Sequence, residues 1–146
     1  MKILIVEDNQ INCFLLCDYL EYCGYCVQAL SCGEGFFHAM ASFEPDLILL
    51  DLKMPKVDGY SILAQLQSHP IWHEIPVIVV SALSFRTHQQ KALELGARRC
   101  LTKPVAPSVL RLAIEQELNA EVTGICAQDS LNKSRLVPFA SDVQVS

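Results

Sequence analysis

The chain has 146 residues, 51% of them hydrophobic, and a formal net charge of -5, enough for one domain with an ordinary core and too few for a second globular unit. The acidic balance, with a pI near 5.3, leaves no basic stripe to neutralise phosphates, so direct nucleic-acid binding is not expected. No apolar stretch approaches the ~20 residues that span a bilayer, and Met1-Lys2 leads straight into a strand pattern rather than a secretion signal, so a soluble cytoplasmic protein without membrane contact is expected.

Lys2 to Val6 reads as the first strand, and Asp8-Asn9 are capping residues for a helix over residues 10–23. On that helix Leu16, Leu20 and Cys23 share one face, with Leu15 and Tyr19 beside it, while Gln10, Asp18 and Glu21 fall elsewhere. Residues 26–30 make a short second strand. Residues 33–42 read as a helix with Phe36, Phe37 and Met40 as core candidates, closed by Glu44-Pro45. Leu47-Ile48-Leu49-Leu50 is a continuous apolar run ending on Asp51, and the Pro55 and Asp58-Gly59 that follow force a loop, the pattern of a buried parallel strand.

Tyr60, Ile62, Leu63 and Leu66 recur at helical spacing over residues 59–68, and His69-Pro70 ends that helix. Pro76 opens a fourth strand, Val77-Ile78-Val79-Val80, which runs into Ser81-Ala82. Residues 86–95 are a polar helix stopped by Gly96. A fifth strand over residues 98–102 leads to Lys103-Pro104. Pro107 suits a first helical position, and Val109, Leu110, Leu112, Ala113, Ile114 and Leu118 supply the apolar face of a last helix. Five alternations of strand and helix argue an α/β fold, a parallel sheet covered on both faces by right-handed crossovers. Residues 1–119 are read as the domain, and 120–146 as a largely disordered C-terminal extension or partner-binding segment.

The ends of the strands carry the chemistry. Glu7-Asp8, Asp51, Ser81 and Lys103 all fall at the C-terminal ends of strands, where open α/β sheets place their ligand sites. Three acids, a hydroxyl and a lysine at one sheet edge suit a divalent cation and a phosphoryl group. Read singly, each has a plainer explanation: Asp8 as a helix cap, Asp51 and Asp58 as loop acids, Lys103 as a solvated charge. Their joint placement outweighs that.

Seven cysteines include Cys23-Gly24-Tyr25-Cys26, formally a C-x-x-C match. Cys23 closes a helix instead of opening one, as a thioredoxin-type pair requires, and no second pair completes a zinc site. Most of the cysteines are expected to be small buried hydrophobes, with Cys13 and Cys17, one turn apart, partly exposed and oxidisable.

Glu7-Asp8, Asp51 with Met54-Pro55 and Asp58-Gly59, Ser81-Ala82 and Lys103-Pro104, in this order over residues 1–118, resemble the receiver domain of bacterial two-component response regulators. The resemblance implies a flavodoxin-like doubly wound five-stranded sheet in the order 2-1-3-4-5. It implies that Asp51 is the phosphoacceptor for a phosphohistidine of a partner histidine kinase or phosphotransfer protein. It further implies a Mg²⁺ site, with Mn²⁺ as a substitute, made by Asp8, Asp51 and the backbone carbonyl of Lys53, with Glu7 acting through a bound water. Lys103 and Ser81 would each hold a phosphoryl oxygen, Ala82 would stay small to admit the donor, and the Lys103-Pro104 bond would be cis. No enzymatic action beyond its own phosphorylation and dephosphorylation is expected.

One position departs from the family. Three residues before the lysine, where Tyr or Phe is usual, stands Cys100, too small to act as a moving aromatic. Coupling to partners would then fall to residues 83–87, unless Phe85 supplies the ring. The fold also hosts aspartyl-phosphate phosphatases and flavodoxin-like redox proteins. The former usually carry a second acid where this chain has Lys53, and the latter want a Ser/Thr/Gly-rich phosphate loop where it has Glu7-Asp8-Asn9. A strand beginning at Met1 and the lack of a following effector pattern read as a stand-alone, chemotaxis-regulator-like receiver. Its output would be a contact with a downstream protein target or with a second copy through helix 4, strand 5 and helix 5.

Overall fold

Five strands, β1 (Lys2–Val6), β2 (Cys26–Leu30), β3 (Leu47–Leu50), β4 (Val77–Ser81) and β5 (Arg99–Thr102), alternate with five helices, α1 (Gln10–Tyr22), α2 (Phe36–Phe43), α3 (Gly59–Gln67), α4 (Arg86–Glu94) and α5 (Pro107–Thr123), in the computed structural model. It describes residues 1–54, 57–82 and 85–123, and side chains as far as residue 119; the expected extension beyond 123 lies outside the described residues. The sheet, its helices as far as Ile114 and every candidate site residue belong to one compact unit, Met1–Ile114. The second unit, Glu115–Ser146, is helical through Thr123.

Strands that are apolar on both faces can be covered by helices on both faces. β3 and β4 are buried at every position, and β1 at every position but Lys2. These three form the centre of an all-parallel sheet, as the alternating pattern argues, in the order β2-β1-β3-β4-β5 that the resemblance implies. Alternate strand positions serve alternate faces. Leu4, Val6, Ile48, Leu50, Val77 and Val79 join Phe36, Met40, Ile62, Leu63, Leu66 and Ala92 in one core cluster. The intervening Ile3, Ile5, Leu49 and Ile78 make a second buried set, with Leu20 of α1 and Leu110 and Ile114 of α5 also buried.

Three local readings are corrected. α2 begins at Phe36, not at residue 33, because Gly35 takes φ 80°, a left-handed conformation no helix interior accepts. The chain between His69 and β4 contains a 3-10 turn, Trp72–Glu74, which the apolar spacing does not signal. There His69 Nδ1 accepts from the N–H groups of Ile71 (3.1 Å) and Trp72 (3.0 Å), and its ring stacks on Trp72. On α1 only Leu20 is buried; Leu15 is 57% exposed and joins Ile11, Phe14 and Tyr22 among the exposed large apolar side chains.

Candidate functional site

Register decides which side chains meet at the sheet edge. Val6 pairs with Leu50, and the Asp51 N–H continues that ladder to the Val6 carbonyl at 3.0 Å, so Glu7 and Asp51 leave adjacent strands at the same level. Ser81 pairs with Thr102, and the Lys103 N–H donates to the Ser81 carbonyl at 2.9 Å. Each candidate group therefore ends a strand or stands within three residues of the end of one.

The turn after β1 separates its two acids. Asn9, not Asp8, caps α1, its Oδ1 accepting from the Asn12 N–H at 2.9 Å. The Asn9 N–H donates to Glu7 Oε2 at 3.1 Å, which holds the Glu7 carboxylate inward. Glu7 is 3% exposed while Asp8 is exposed.

Lys103 reaches both buried acids. Its Nζ lies 2.5 Å from Glu7 Oε1 and 3.3 Å from Asp51 Oδ2, while Asp51 Oδ1 accepts the Lys53 N–H at 3.2 Å. Oxygens of Glu7, Asp8 and Asp51 lie within 4.8 Å of one another. Burial pushes the Glu7 carboxyl above its ordinary value against the opposing pull of Lys103. For Lys103 burial works downward, but the Glu7 hydrogen bond and the charge of Asp51 outweigh it and hold the ammonium above its usual range. Three carboxyl groups against one ammonium form an all-oxygen donor set that a hard divalent cation such as Mg²⁺ fits, since it prefers oxygen and keeps waters in its remaining positions.

The loop after Asp51 is fastened to the site by Gly59. Its N–H donates to the Leu52 carbonyl at 3.1 Å, and a Cβ there would lie 2.6 Å from Leu52 Cα and 2.8 Å from the Asp51 carbonyl oxygen. Asp58 is the N-cap of α3 and accepts from the Tyr60 N–H. Pro55, Lys56, Leu83 and Ser84 lie outside the described residues. Ser81 is 2% exposed, Ala82 is exposed and the Lys103-Pro104 bond is cis. Between α1 and the start of α5, a largely apolar cavity of about 470 Å³ lined by Leu15, Leu16, Tyr19, Val105 and Leu110 reaches Glu7 and Lys103.

Cys100 is half-buried, its thiol directed to the Gln89 carbonyl at 3.6 Å. Phe85 is 71% exposed and does not fill the space an aromatic at residue 100 would take. Tyr60 on α3 and Cys100 both pack against the same core cluster, and helical spacing alone does not single Tyr60 out. The six cysteines among the described residues are free, and none of them is buried, Cys26 being exposed and the other five half-buried, which corrects the expectation that most are buried hydrophobes. Burial raises the Cys13 thiol and carries that of Cys17 to about 11, which makes this pair less oxidisable than its partial exposure implies.

Comparison with known proteins points to one family. The family described as response regulator receiver domain matches residues 3–115. The chain is 35% identical over 131 residues to the transcriptional regulatory protein GltR of Pseudomonas aeruginosa, covering 89% of this chain and 54% of GltR. It is 33% identical over 111 residues to the sensor histidine kinase RcsC of Escherichia coli K12, covering 76% of this chain and 12% of RcsC. The crystal structure of the signal receiver domain of a signal transduction histidine kinase from Syntrophus aciditrophicus superposes with a TM-score of 0.75 at 34% identity, over 82% of this chain and 90% of that one. The chain thus spans about half or less of the curated relatives it matches. No helix among the described residues is long and apolar enough to cross a membrane.

Proposed function

The chain belongs to the response regulator receiver family, and from that premise we propose that it accepts a phosphoryl group on Asp51 from a phosphohistidine and signals through a protein contact that depends on that group. The observation that carries this reading is the meeting of Glu7, Asp8 and Asp51 within 4.8 Å, with Lys103 Nζ 3.3 Å from Asp51 Oδ2.

In the proposed reaction an Asp51 carboxylate oxygen attacks phosphorus. The P–N bond to the donor imidazole breaks, its electron pair stays on the ring nitrogen, which takes up a proton, and an acyl phosphate forms on Asp51. Asp8, Asp51 and the Lys53 backbone carbonyl would hold a Mg²⁺ ion, or Mn²⁺, with Glu7 acting through water; when bound, the cation offsets the charge of the carboxylates and of the phosphoryl oxygens. Lys103 donates to one phosphoryl oxygen and the Ser81 hydroxyl to another. The exposed face of Ala82 leaves the donor an approach. Catalysis extends only to the protein's own phosphorylation and dephosphorylation.

The donor is a histidine kinase or histidine phosphotransfer protein. Its histidine must reach Asp51, and α1 starts three residues after Glu7 with Ile11, Phe14 and Leu15 exposed and Leu15 lining the apolar cavity, so an apolar helical surface around the histidine suits this side. The readers are a downstream protein target or a second copy of the chain, in the cytoplasm, without direct nucleic-acid or membrane contact. Incubation with acetyl phosphate and Mg²⁺ is expected to add one hydroxylamine-labile phosphoryl group by intact mass, and Asp51→Asn is expected to abolish it. The same labile group on the Asp51→Asn protein would refute the assignment.

A further inference from the structure

We infer that Tyr60 is the positioning residue through which the acid site acts on α4, taking the part that the small Cys100 leaves vacant; this rests on Asp51 being the phosphoacceptor.

The connection is continuous and short. The Gly59 N–H holds the Leu52 carbonyl at 3.1 Å, and a Cβ at Gly59 would lie 2.8 Å from the Asp51 carbonyl oxygen. The first turn of α3 therefore rests on the main chain of Asp51 and Leu52 with no compressible side chain between them. Tyr60 is the next residue. Its hydroxyl lies 3.2 Å from His88 Nδ1 and 3.4 Å from the His88 carbonyl oxygen, and Lys91 Nζ stands 4.4 Å from its ring centroid. Both partners are on α4, so this one side chain ties the start of α3 to two successive turns of α4.

A second line reaches the same helix from the other strand ends. Ser81 pairs with Thr102, and Gln89 Nε2 donates to Thr102 Oγ1 at 2.9 Å. His88 and Gln89, adjacent in α4, are thus tied to the Asp51 side and the Ser81 side of the site respectively. The Tyr60 hydroxyl has two polar partners in reach on one residue, the imidazole Nδ1 and the carbonyl oxygen, and exchange between them is a discrete change of the kind that turns a small displacement at one site into a different surface at another. Phe85, 71% exposed with its ring 5.9 Å from that of His88, lies where such a change would alter what a partner meets.

The test uses beryllofluoride with Mg²⁺ as the phosphoryl mimic on the full chain. Fluorine resonances report occupancy of Asp51, and the His88 imidazole carbon–proton resonances report α4. In the unmodified protein beryllofluoride is expected to shift the His88 resonances; in Tyr60→Phe the fluorine signal persists and the His88 shift is lost. Tyr60→Leu, which also removes the ring and its contact with Lys91, should lose it too and serves if the Phe variant proves unstable. A His88 shift of full size in Tyr60→Phe overturns the inference, as does a silent His88 in the unmodified protein with the fluorine signal present. A missing fluorine signal in the unmodified protein overturns the phosphoacceptor reading itself, and this inference with it.

Discussion

Replacing Gly59 with alanine is expected to destabilise the domain and loosen the acid site together. A Cβ at this position would lie 2.6 Å from Leu52 Cα, 2.8 Å from the Asp51 carbonyl oxygen and 2.9 Å from the Leu52 carbonyl oxygen. All three are main-chain atoms, and carbon contacts relax only at ~3.5–4.0 Å, so the first turn of α3 must withdraw by on the order of 1 Å. Overpacking of this kind costs about 1–3 kcal/mol. Loss of the Gly59 to Leu52 hydrogen bond adds about 1 kcal/mol, and the better helix propensity of alanine returns about as much. The balance of about 2 kcal/mol is a roughly 30-fold fall in the folding equilibrium constant and a drop of about 6–10 °C in Tm for a chain of this size. Urea unfolding followed by circular dichroism measures the first part. A calorimetric Mg²⁺ titration measures the second, and it should weaken because the withdrawn turn rests on the main chain of Asp51. Gly24→Ala is the control: φ 98° with nothing within 4 Å of the added Cβ costs backbone strain of about 1 kcal/mol and leaves the Mg²⁺ titration unchanged. An equally or more stable Gly59→Ala protein with unaltered Mg²⁺ binding, which helix propensity alone would give, refutes the steric reasoning.

Asp8→Ala should abolish Mg²⁺ binding while leaving stability nearly unchanged, because the residue is exposed and the two acids that remain are both held by Lys103; an unaltered titration would remove Asp8 from the metal site. Cys17, whose thiol is carried to about 11 by burial and by Cys13, should hold roughly 100-fold less thiolate at pH 8 than a thiol at 9.0. Its alkylation in the folded protein, followed by mass spectrometry, should therefore be slow and should rise with pH through 11. Modification as fast as in the urea-unfolded chain would contradict that environment.

Element order, the parallel sheet and the list of chemical groups at its edge are written in the sequence, because an apolar run that stops abruptly on an acid, a serine or a lysine carries its own strand-end signal. The runs ending at Val6, Leu50 and Val80 also mark the three central strands, since only strands apolar on both faces can sit at the centre of a doubly wound sheet, whereas their order is implied by the family resemblance alone. Single positions gave less. Periodicity puts Leu16, Leu20 and Cys23 on one face of α1 with Leu15 beside it, yet burial depends on what a neighbouring element covers, and α1 keeps only Leu20 fully inside. A glycine at 35 does not announce its φ, so the start of α2 was decided by the backbone. Likewise, no pattern tells which of two adjacent acids turns inward: the Asn9 N–H takes Glu7, Lys103 follows it, and Asp8 is left to solvent. The contact of Tyr60 with His88 is further still from the sequence, because it joins two helices whose spacing is set by the packing of Gly59 on the main chain of Asp51 and Leu52. Chemistry that resides in a residue type at a strand end is local and legible; distances between groups brought together by separate crossovers exist only once the sheet has closed and its helices have packed.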